Sequence, residues 1–265
     1  MNAQEIEDAA QALFAAETAR RQIGLLSLKY PGLDLDKAYA VQAALVRRKQ
    51  AAGRKVIGWK IGLTSRAMQQ ALKIDTPDSG VLLDDMWFED GATIPAGRYI
   101  EPRIEAEIAF VMKAPLQGEQ VTRDNVLAAT EFVAPSLEIL DTRIVRVDPA
   151  SGQARVIADT VSDNAANAGI VLGRQRHRPQ DIDLRWVGAI VKRNGIVEET
   201  GVGAGVLDDP VTSVLWLVHR LARYGLRVEA GQVLLSGSFI RPIEAPRGSH
   251  FAADFGAFGS VSVQF

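Results

Sequence analysis

One stretch limits what this chain can fold into: Pro102-Arg103-Ile104-Glu105-Ala106-Glu107-Ile108-Ala109-Phe110-Val111. Its apolar residues recur with a period of two, the signature of a β-strand. Ile104, Ala106, Ile108 and Phe110 fall on one face, and Arg103, Glu105, Glu107 and Ala109 on the other. Two carboxylates thus leave the same side of a strand that is otherwise apolar. A third, Glu138, lies in a second apolar run, Ala134-Pro135-Ser136-Leu137-Glu138-Ile139-Leu140. Carboxylates in such runs are costly to bury unless paired or bound to a metal, and three that meet repel one another without a cation between them. Two readings fit. Glu105 and Glu107 line the wet face of an edge strand, or Glu105, Glu107 and Glu138 hold a hard divalent ion, Mg²⁺ or Mn²⁺. The apolar setting of Glu138 favours the second.

The 265 residues suffice for a sizeable core. The reading is an N-terminal helical region over 1–54 and a catalytic domain over 55–265, functionally one domain. A net charge of -2 without a basic block argues against a nucleic-acid partner. The absence of Cys excludes disulfides, thiolate catalysis and Cys-ligated metals. Met1-Asn2-Ala3-Gln4-Glu5 is not the opening of a signal peptide. No apolar run is long enough to span a bilayer. No membrane partner is expected, and the expected location is cytoplasmic.

In chain order, residues 4–22 and 35–52 have helical periodicity, separated by a loop at Pro31-Gly32. Residues 56–65 read as a short strand entering Gly, Thr and Ser. Lys60 lies there among apolar residues, either snorkelling to the surface or serving as a functional cation. Asp78 falls on a turn, residues 75–80, where Asp commonly caps backbone groups. Asp90-Gly91 signals a hairpin. Residues 159–169 pack polar side chains between small ones, as a solvated loop-to-helix junction or as a pocket wall. Asn194-Gly195 predicts a hairpin between strands over 186–191 and 196–199. Gly201, Gly203 and Gly205 suit a ligand loop or a flat sheet crossing. Asp209-Pro210 starts a helix that runs to about residue 224. Strands are expected within 228–239 and over 259–265. Three scattered His make a His-rich zinc site improbable.

Taken in order, four segments resemble the hydratase/decarboxylase branch of the fumarylacetoacetate hydrolase superfamily. They are Lys60-Ile61-Gly62-Leu63-Thr64-Ser65, Pro102-Arg103-Ile104-Glu105-Ala106-Glu107, Leu137-Glu138-Ile139-Leu140-Asp141 and Asp159-Thr160-Val161-Ser162-Asp163-Asn164-Ala165-Ala166-Asn167-Ala168-Gly169. The likeness runs from the first helix to the last residue. It implies an α+β fold around a mixed, rolled β-sheet with flanking helices and the N-terminal helical region. It also implies Mg²⁺ or Mn²⁺ in the pocket and a homo-oligomer, with pentamers or decamers among the expected sizes. One departure stands out. The family usually has Tyr after the Asp of the Pro-Asp turn, where this chain has Ser79; if that ring lines the pocket, the pocket differs here.

The resemblance further implies addition of water to a 2-hydroxy-2,4-dienoate of aromatic meta-cleavage, here the seven-carbon dicarboxylate. Glu105, Glu107 and Glu138 are the expected metal ligands. Lys60 and Asp78 are the candidates for moving a proton and positioning water. Thr160, Ser162 and Asn164 are candidates for binding a substrate carboxylate or orienting water, and Arg103 and Arg143 for the distal carboxylate. The rivals are the five-carbon monocarboxylate, a decarboxylase of the same fold, and a non-catalytic subunit of a partner enzyme. No Gly-x-Gly-x-x-Gly lies at a strand-to-helix turn, which disfavours a nicotinamide enzyme.

Overall fold

Three helices precede the first strand. α1 (Ala3–Ala19) starts at Asn2, whose side chain accepts the Glu5 N–H while the Glu5 carboxylate accepts the Asn2 N–H. This reciprocal cap satisfies donors that the first turn leaves open. α2 (Leu26–Lys29) is a single turn within the expected loop. α3 (Leu35–Ala51) starts at Asp34, which accepts the Lys37 N–H. Ala9, Ala10 and Leu13 of α1 gather with Val41, Ala44 and Leu45 of α3 into one apolar cluster. Beside it Lys49 is buried against Glu17 at 2.6 Å. This computed structural model describes residues 1–72 and 74–265, with residues 68, 71 and 72 described by backbone alone. Among the described residues no helix is long and apolar enough to cross a membrane.

The strands follow as β1 (Val56–Gly62), β2 (Asp78–Leu83), β3 (Trp87–Glu89), β4 (Ala92–Thr93), β5 (Arg103–Met112), β6 (Thr130–Leu140), β7 (Asn167–Leu172), β8 (Gly188–Arg193), β9 (Ile196–Val202), β10 (Val233–Leu235), β11 (Ile243–Glu244), β12 (His250–Asp254) and β13 (Ser260–Gln264). Between them lie α4 (Arg66–Leu72), α5 (Arg123–Ala129), α6 (Ile157–Ser162) and α7 (Pro210–Arg223). The larger sheet has the order β2-β1-β10-β5-β6-β7-β3, with β11 beside the start of β5. Pairs β1/β10 and β3/β7 are parallel and the others antiparallel, so the sheet is mixed, as expected for the α+β class. The smaller sheet has the order β4-β13-β12-β8-β9.

The alternation in β5 decides which way the larger sheet faces. Ile104, Ala106, Ile108 and Phe110 are fully buried in the main core, with Leu137 and Ile139 of β6 and Val214, Leu217 and Leu221 of α7. Each of the Ile, Leu, Val and Phe side chains among them contributes about 1.5–3 kcal/mol by leaving water. α7 is held to this face by its apolar stripe. It begins where Asp209 accepts the Val211 N–H at 2.9 Å, with Pro210 in the first turn. The opposite face of β5 is left to its polar residues.

Several local expectations are corrected. Asp90-Gly91 joins no hairpin: β3 pairs with β7 in one sheet and β4 with β13 in the other, so the turn carries the chain between sheets. Asp78 is the first residue of β2 and only 2% exposed, not a solvated turn residue. The expected strand within 228–239 is confined to β10, and β11 and β12 carry no alternation strong enough to read. The Asn194-Gly195 hairpin is present, with both residues at positive φ and β8 and β9 paired around it. A Cβ on Gly201 or Gly203 would meet the backbone carbonyl of Phe239 or Leu184, so these glycines serve chain crossings.

Candidate active site

The antiparallel pairing of β5 and β6 sets Glu105 opposite Glu138, and Glu107 opposite Ser136. Directly opposed residues share a face, as do alternate residues along a strand. The register continues from Ala109 to Leu235 of β10, then to Lys60 of β1 and Gly80 of β2. The face that holds Glu105, Glu107 and Glu138 therefore also holds Lys60 and, two residues before Gly80, Asp78. Further along it, Leu82, Ala109, Ile170, Val233 and Leu235 form an apolar cluster. The charged end of this face is thus bordered by a dry one.

Glu105, Glu107 and Glu138 each offer an oxygen, and these atoms lie within 4.8 Å of one another. Glu138 is completely buried and Glu107 nearly so, while Glu105 keeps some exposure. Glu107 is aimed by its neighbours. Its Oε2 accepts the Gly237 N–H at 2.7 Å, and its carbonyl oxygen accepts from Ser136 Oγ at 3.1 Å. Among the described residues neither carboxylate oxygen of Glu138 accepts a hydrogen bond. Orphaned buried oxygens facing two further carboxylates are a set of hard donors for which a divalent cation is the natural complement. Mg²⁺ or Mn²⁺ fits this donor set, and thiophilic metals do not.

Lys60 Nζ lies 3.5 Å from Glu138 Oε1 and 4.0 Å from Asp78 Oδ1, all three side chains being buried. Burial opposes the charge of Lys60, but Glu138 and Asp78 outweigh it and hold the ammonium above its ordinary pKa. Burial raises Asp78, against the pull of Lys60. Burial and the Glu138 charge raise Glu105 to about 8. Burial, Glu138 and Glu105 raise Glu107 well above the usual carboxylate range. Burial raises Glu138 too, with Lys60 opposing. Without a cation, then, burial and mutual repulsion favour the protonated form of the three carboxylates. Gly62 makes room for the pair, since a Cβ there would stand 2.3 Å from Asp78 Oδ1 and 2.9 Å from Lys60 Nζ.

The residues expected around the substrate divide sharply. Arg143 is not brought to the triad. Its guanidinium is buried against Asp163, with Nε to Oδ1 at 2.5 Å and Nη2 to the Asp163 carbonyl at 2.6 Å. Ser162 Oγ donates back to the Ala158 carbonyl within α6. Asn164 is committed to β2, where its Oδ1 accepts the Val81 N–H at 2.8 Å and its Nδ2 donates to the Val81 carbonyl at 2.9 Å. Thr160 Oγ1 turns back to the Val156 carbonyl at 3.5 Å. Arg103 pairs with Glu244 at 3.2 Å and leaves its buried Nε unpartnered. Asn164 therefore pins β2, the strand that carries Asp78.

Ser79 opposes Ile61, a residue of the main core, so it faces away from the triad. Its N–H donates to Tyr39 Oη at 3.2 Å. A larger side chain at 79 would meet that core side and not the carboxylates. Gly237 and Ser136 were missed from the sequence. Ser136 carried a readable signal, being two residues from Glu138 on the same face, whereas the approach of Gly237 to Glu107 is purely tertiary.

Comparison with known proteins adds to this geometry. No family model matches the chain. It is 50% identical over 256 residues to 2-oxo-hept-4-ene-1,7-dioate hydratase of Escherichia coli, covering 97% of this chain and 96% of that protein. It is 39% identical over 265 residues to 2-keto-4-pentenoate hydratase of Paraburkholderia xenovorans (strain LB400), covering 100% and 96%. Among solved structures, 4-oxalocrotonate decarboxylase from Pseudomonas putida G7, complexed with magnesium and adipate, superposes with a TM-score of 0.93 at 32% identity, covering 100% of this chain and 98% of that one.

Proposed function

The chain belongs to the hydratase/decarboxylase branch of the fumarylacetoacetate hydrolase superfamily, and on that premise we propose that it is a divalent-metal-dependent hydro-lyase. Its substrate is 2-hydroxyhepta-2,4-diene-1,7-dioate, which takes up water to give 4-hydroxy-2-oxoheptanedioate in aromatic meta-cleavage. The observation that carries this reading is the convergence of Glu105, Glu107 and Glu138 beside Lys60 and Asp78, in a chain half identical to a hydratase of that substrate.

Glu105, Glu107 and Glu138 would hold Mg²⁺ or Mn²⁺, which would supply Lewis acidity toward a 2-oxo group and its enolate. The rest falls to the chain's own residues. Three carboxylates around a divalent ion leave a formal negative charge, and Lys60, 3.5 Å from Glu138, offsets it. Hydration needs the enol proton delivered to C5, which conjugates the remaining double bond with the carbonyl and makes C4 electrophilic. Water then gives its hydroxyl to C4 and a proton to C3. Asp78 carries protons at Oδ1, which faces Lys60 Nζ. Lys60, held charged, favours the enolate. The dry surface around Leu82, Ile170 and Leu235 keeps bulk water from the reactive carbons.

The test is an ultraviolet assay of dienol loss, comparing the seven-carbon dicarboxylate with the five-carbon monocarboxylate, with and without Mg²⁺. Metal-dependent loss that favours the dicarboxylate and releases no CO₂ supports the hydratase. A second reading is decarboxylation of an oxalocrotonate-type substrate, favoured by the TM-score of 0.93 with the decarboxylase; trapped CO₂ would establish it. We also assign the chain to a cytoplasmic homo-oligomer. The edge strand β9 pairs on one side only and exposes Ile196 and Val197 at 71% and 51%, which leaves an edge for a second copy. Sedimentation at working concentration reads that state directly.

A further inference from the structure

A dicarboxylate substrate needs a cation for its far end, and neither of the two arginines nominated from sequence is free. Arg143 is locked to Asp163, and Arg103 pairs with Glu244. Arg155 is different. It ends the hairpin in which Val147 bridges Ala154, where its N–H donates to the Arg146 carbonyl at 2.8 Å. The next residue, Val156, is fixed by its N–H to Asp159 Oδ2 at 3.1 Å, at the entry to α6. The backbone at 155 is thereby tied on both sides, so the direction of the side chain is set.

That side chain is half-buried. Among the described residues the side chain makes one hydrogen bond, from Nη1 to Thr142 Oγ1, whose own proton goes to the Ile144 carbonyl. Among the described residues no carboxylate pairs with it. The acids nearest in charge are committed elsewhere: Asp163 to Arg143, and Asp159 to the Ser27 N–H and hydroxyl at 2.8 and 2.7 Å. Other partly covered arginines have carboxylate partners, as in Arg48 with Glu7, Arg98 with Asp85 and Arg146 with Glu101. Arg220, also without a carboxylate, is accounted for by the Tyr39 ring 3.6 Å from its Cζ. Withdrawing a guanidinium from water without an anion is unfavourable. Thr142, the partner of Arg155, stands two residues beyond Leu140, which opposes Arg103 in the β5–β6 register, so Arg155 is held at the end of the strand that carries Glu138, where its charge also bears on Asp78. Asp78 belongs to the candidate site, and Arg103 lies two residues from Glu105 on its face of β5.

We propose that Arg155, held by Thr142, is the specificity residue that receives the distal carboxylate of the substrate, with Arg103 adding charge beside it. The proposal rests on the dicarboxylate reading above. A fixed guanidinium offers paired N–H donors to a carboxylate, and a monocarboxylate of the same chemistry makes no use of them.

The experiment has two readouts. With Mg²⁺-loaded protein, calorimetry compares adipate with hexanoate for the parent, Arg155→Met and Arg155→Lys. Adipate affinity should fall about 10- to 100-fold in Arg155→Met and recover in part in Arg155→Lys, with hexanoate affected far less. In turnover, the preference for the seven-carbon over the five-carbon substrate should fall by a similar factor, mainly through KM. Equal losses on both ligands, or undiminished adipate binding, would overturn the assignment. If Arg155→Met does not fold, arginine-directed dicarbonyl labelling of the parent decides, since adipate and not hexanoate should shield Arg155. A parent that turns over neither substrate would remove the hydratase reading, while the adipate comparison would still judge Arg155.

Discussion

Replacing Glu138 by glutamine separates two roles that one carboxylate can have. In the metal-free protein Glu138 is a fully buried group whose oxygens accept no hydrogen bond and whose ion-pair partner, Lys60 Nζ, stands 3.5 Å away. At an effective dielectric of about 20 that contact is worth about 5 kcal/mol before desolvation. The raised pKa of Glu138 means that burial more than offsets it. Glutamine keeps the volume and removes the charge, so metal-free Glu138→Gln should melt within about 3 °C of its parent. The response to metal should differ. With Mg²⁺ at about 100 times its Kd, ligation stabilises the native state by about 2.7 kcal/mol. At about 2–4 °C per kcal/mol for a domain of this size, that is a rise of about 5–11 °C in the parent, and close to none in the variant. A fluorescence melt across a Mg²⁺ series measures both. An equal Mg²⁺-induced rise in both proteins would refute the site. Collapse of the metal-free variant by more than about 10 °C would show that Glu138 serves the fold through Lys60 rather than an ion.

Gly62→Ala places a methyl against the ends of Asp78 and Lys60, two side chains that can shift; turnover should fall about 100-fold while the Mg²⁺-induced rise in melting temperature is retained. Arg143→Met leaves Asp163 buried without its partner, and should cost about 3–5 kcal/mol in denaturant unfolding without altering preference for the dicarboxylate. The metal-free protein should lose stability as pH rises from about 4.5 to about 8, because the unfolded chain gives up the Glu105 proton at its ordinary pKa while the folded chain holds it to about 8. Saturating Mg²⁺ should reverse that trend, since the ion binds the ionised carboxylates; melting curves across that pH range, with and without Mg²⁺, check both signs.

The strand that organises the molecule was readable because one face of β5 is buried in a core and the other in a charged cluster, so neither interrupts the period of two. The α7 helix was readable for a similar reason: Asp209-Pro210 is a local start signal and its stripe faces one core. Asp90-Gly91 misled because a tight turn looks the same whether its strands pair with each other or with distant partners. The short strand β11 is held by β5, far along the chain, and local propensity says little about such pairing. At the site, acidic residues in apolar runs announced themselves by their improbability. Arg143, Ser162 and Asn164 looked equally suited to a ligand, yet each hydrogen-bonds to the protein itself, and polar residues of both kinds have the same composition.

The position of β10 has a consequence for how the molecule is made. This short strand, from the last part of the chain, lies between β1, which bears Lys60, and β5, which bears Glu105 and Glu107. The carboxylates can reach register through β5 and β6, which are near neighbours in sequence. Lys60 cannot join them until residues 233–235 slot into the gap, and Gly237 follows directly to orient Glu107. During folding the acidic cradle can therefore exist while the ammonium that offsets it is still held apart, and residues 233–237 act as the keystone of the centre. Such non-local closure is slow compared with the local pairing, so the centre is complete only once residues 233–237 have joined β1 and β5.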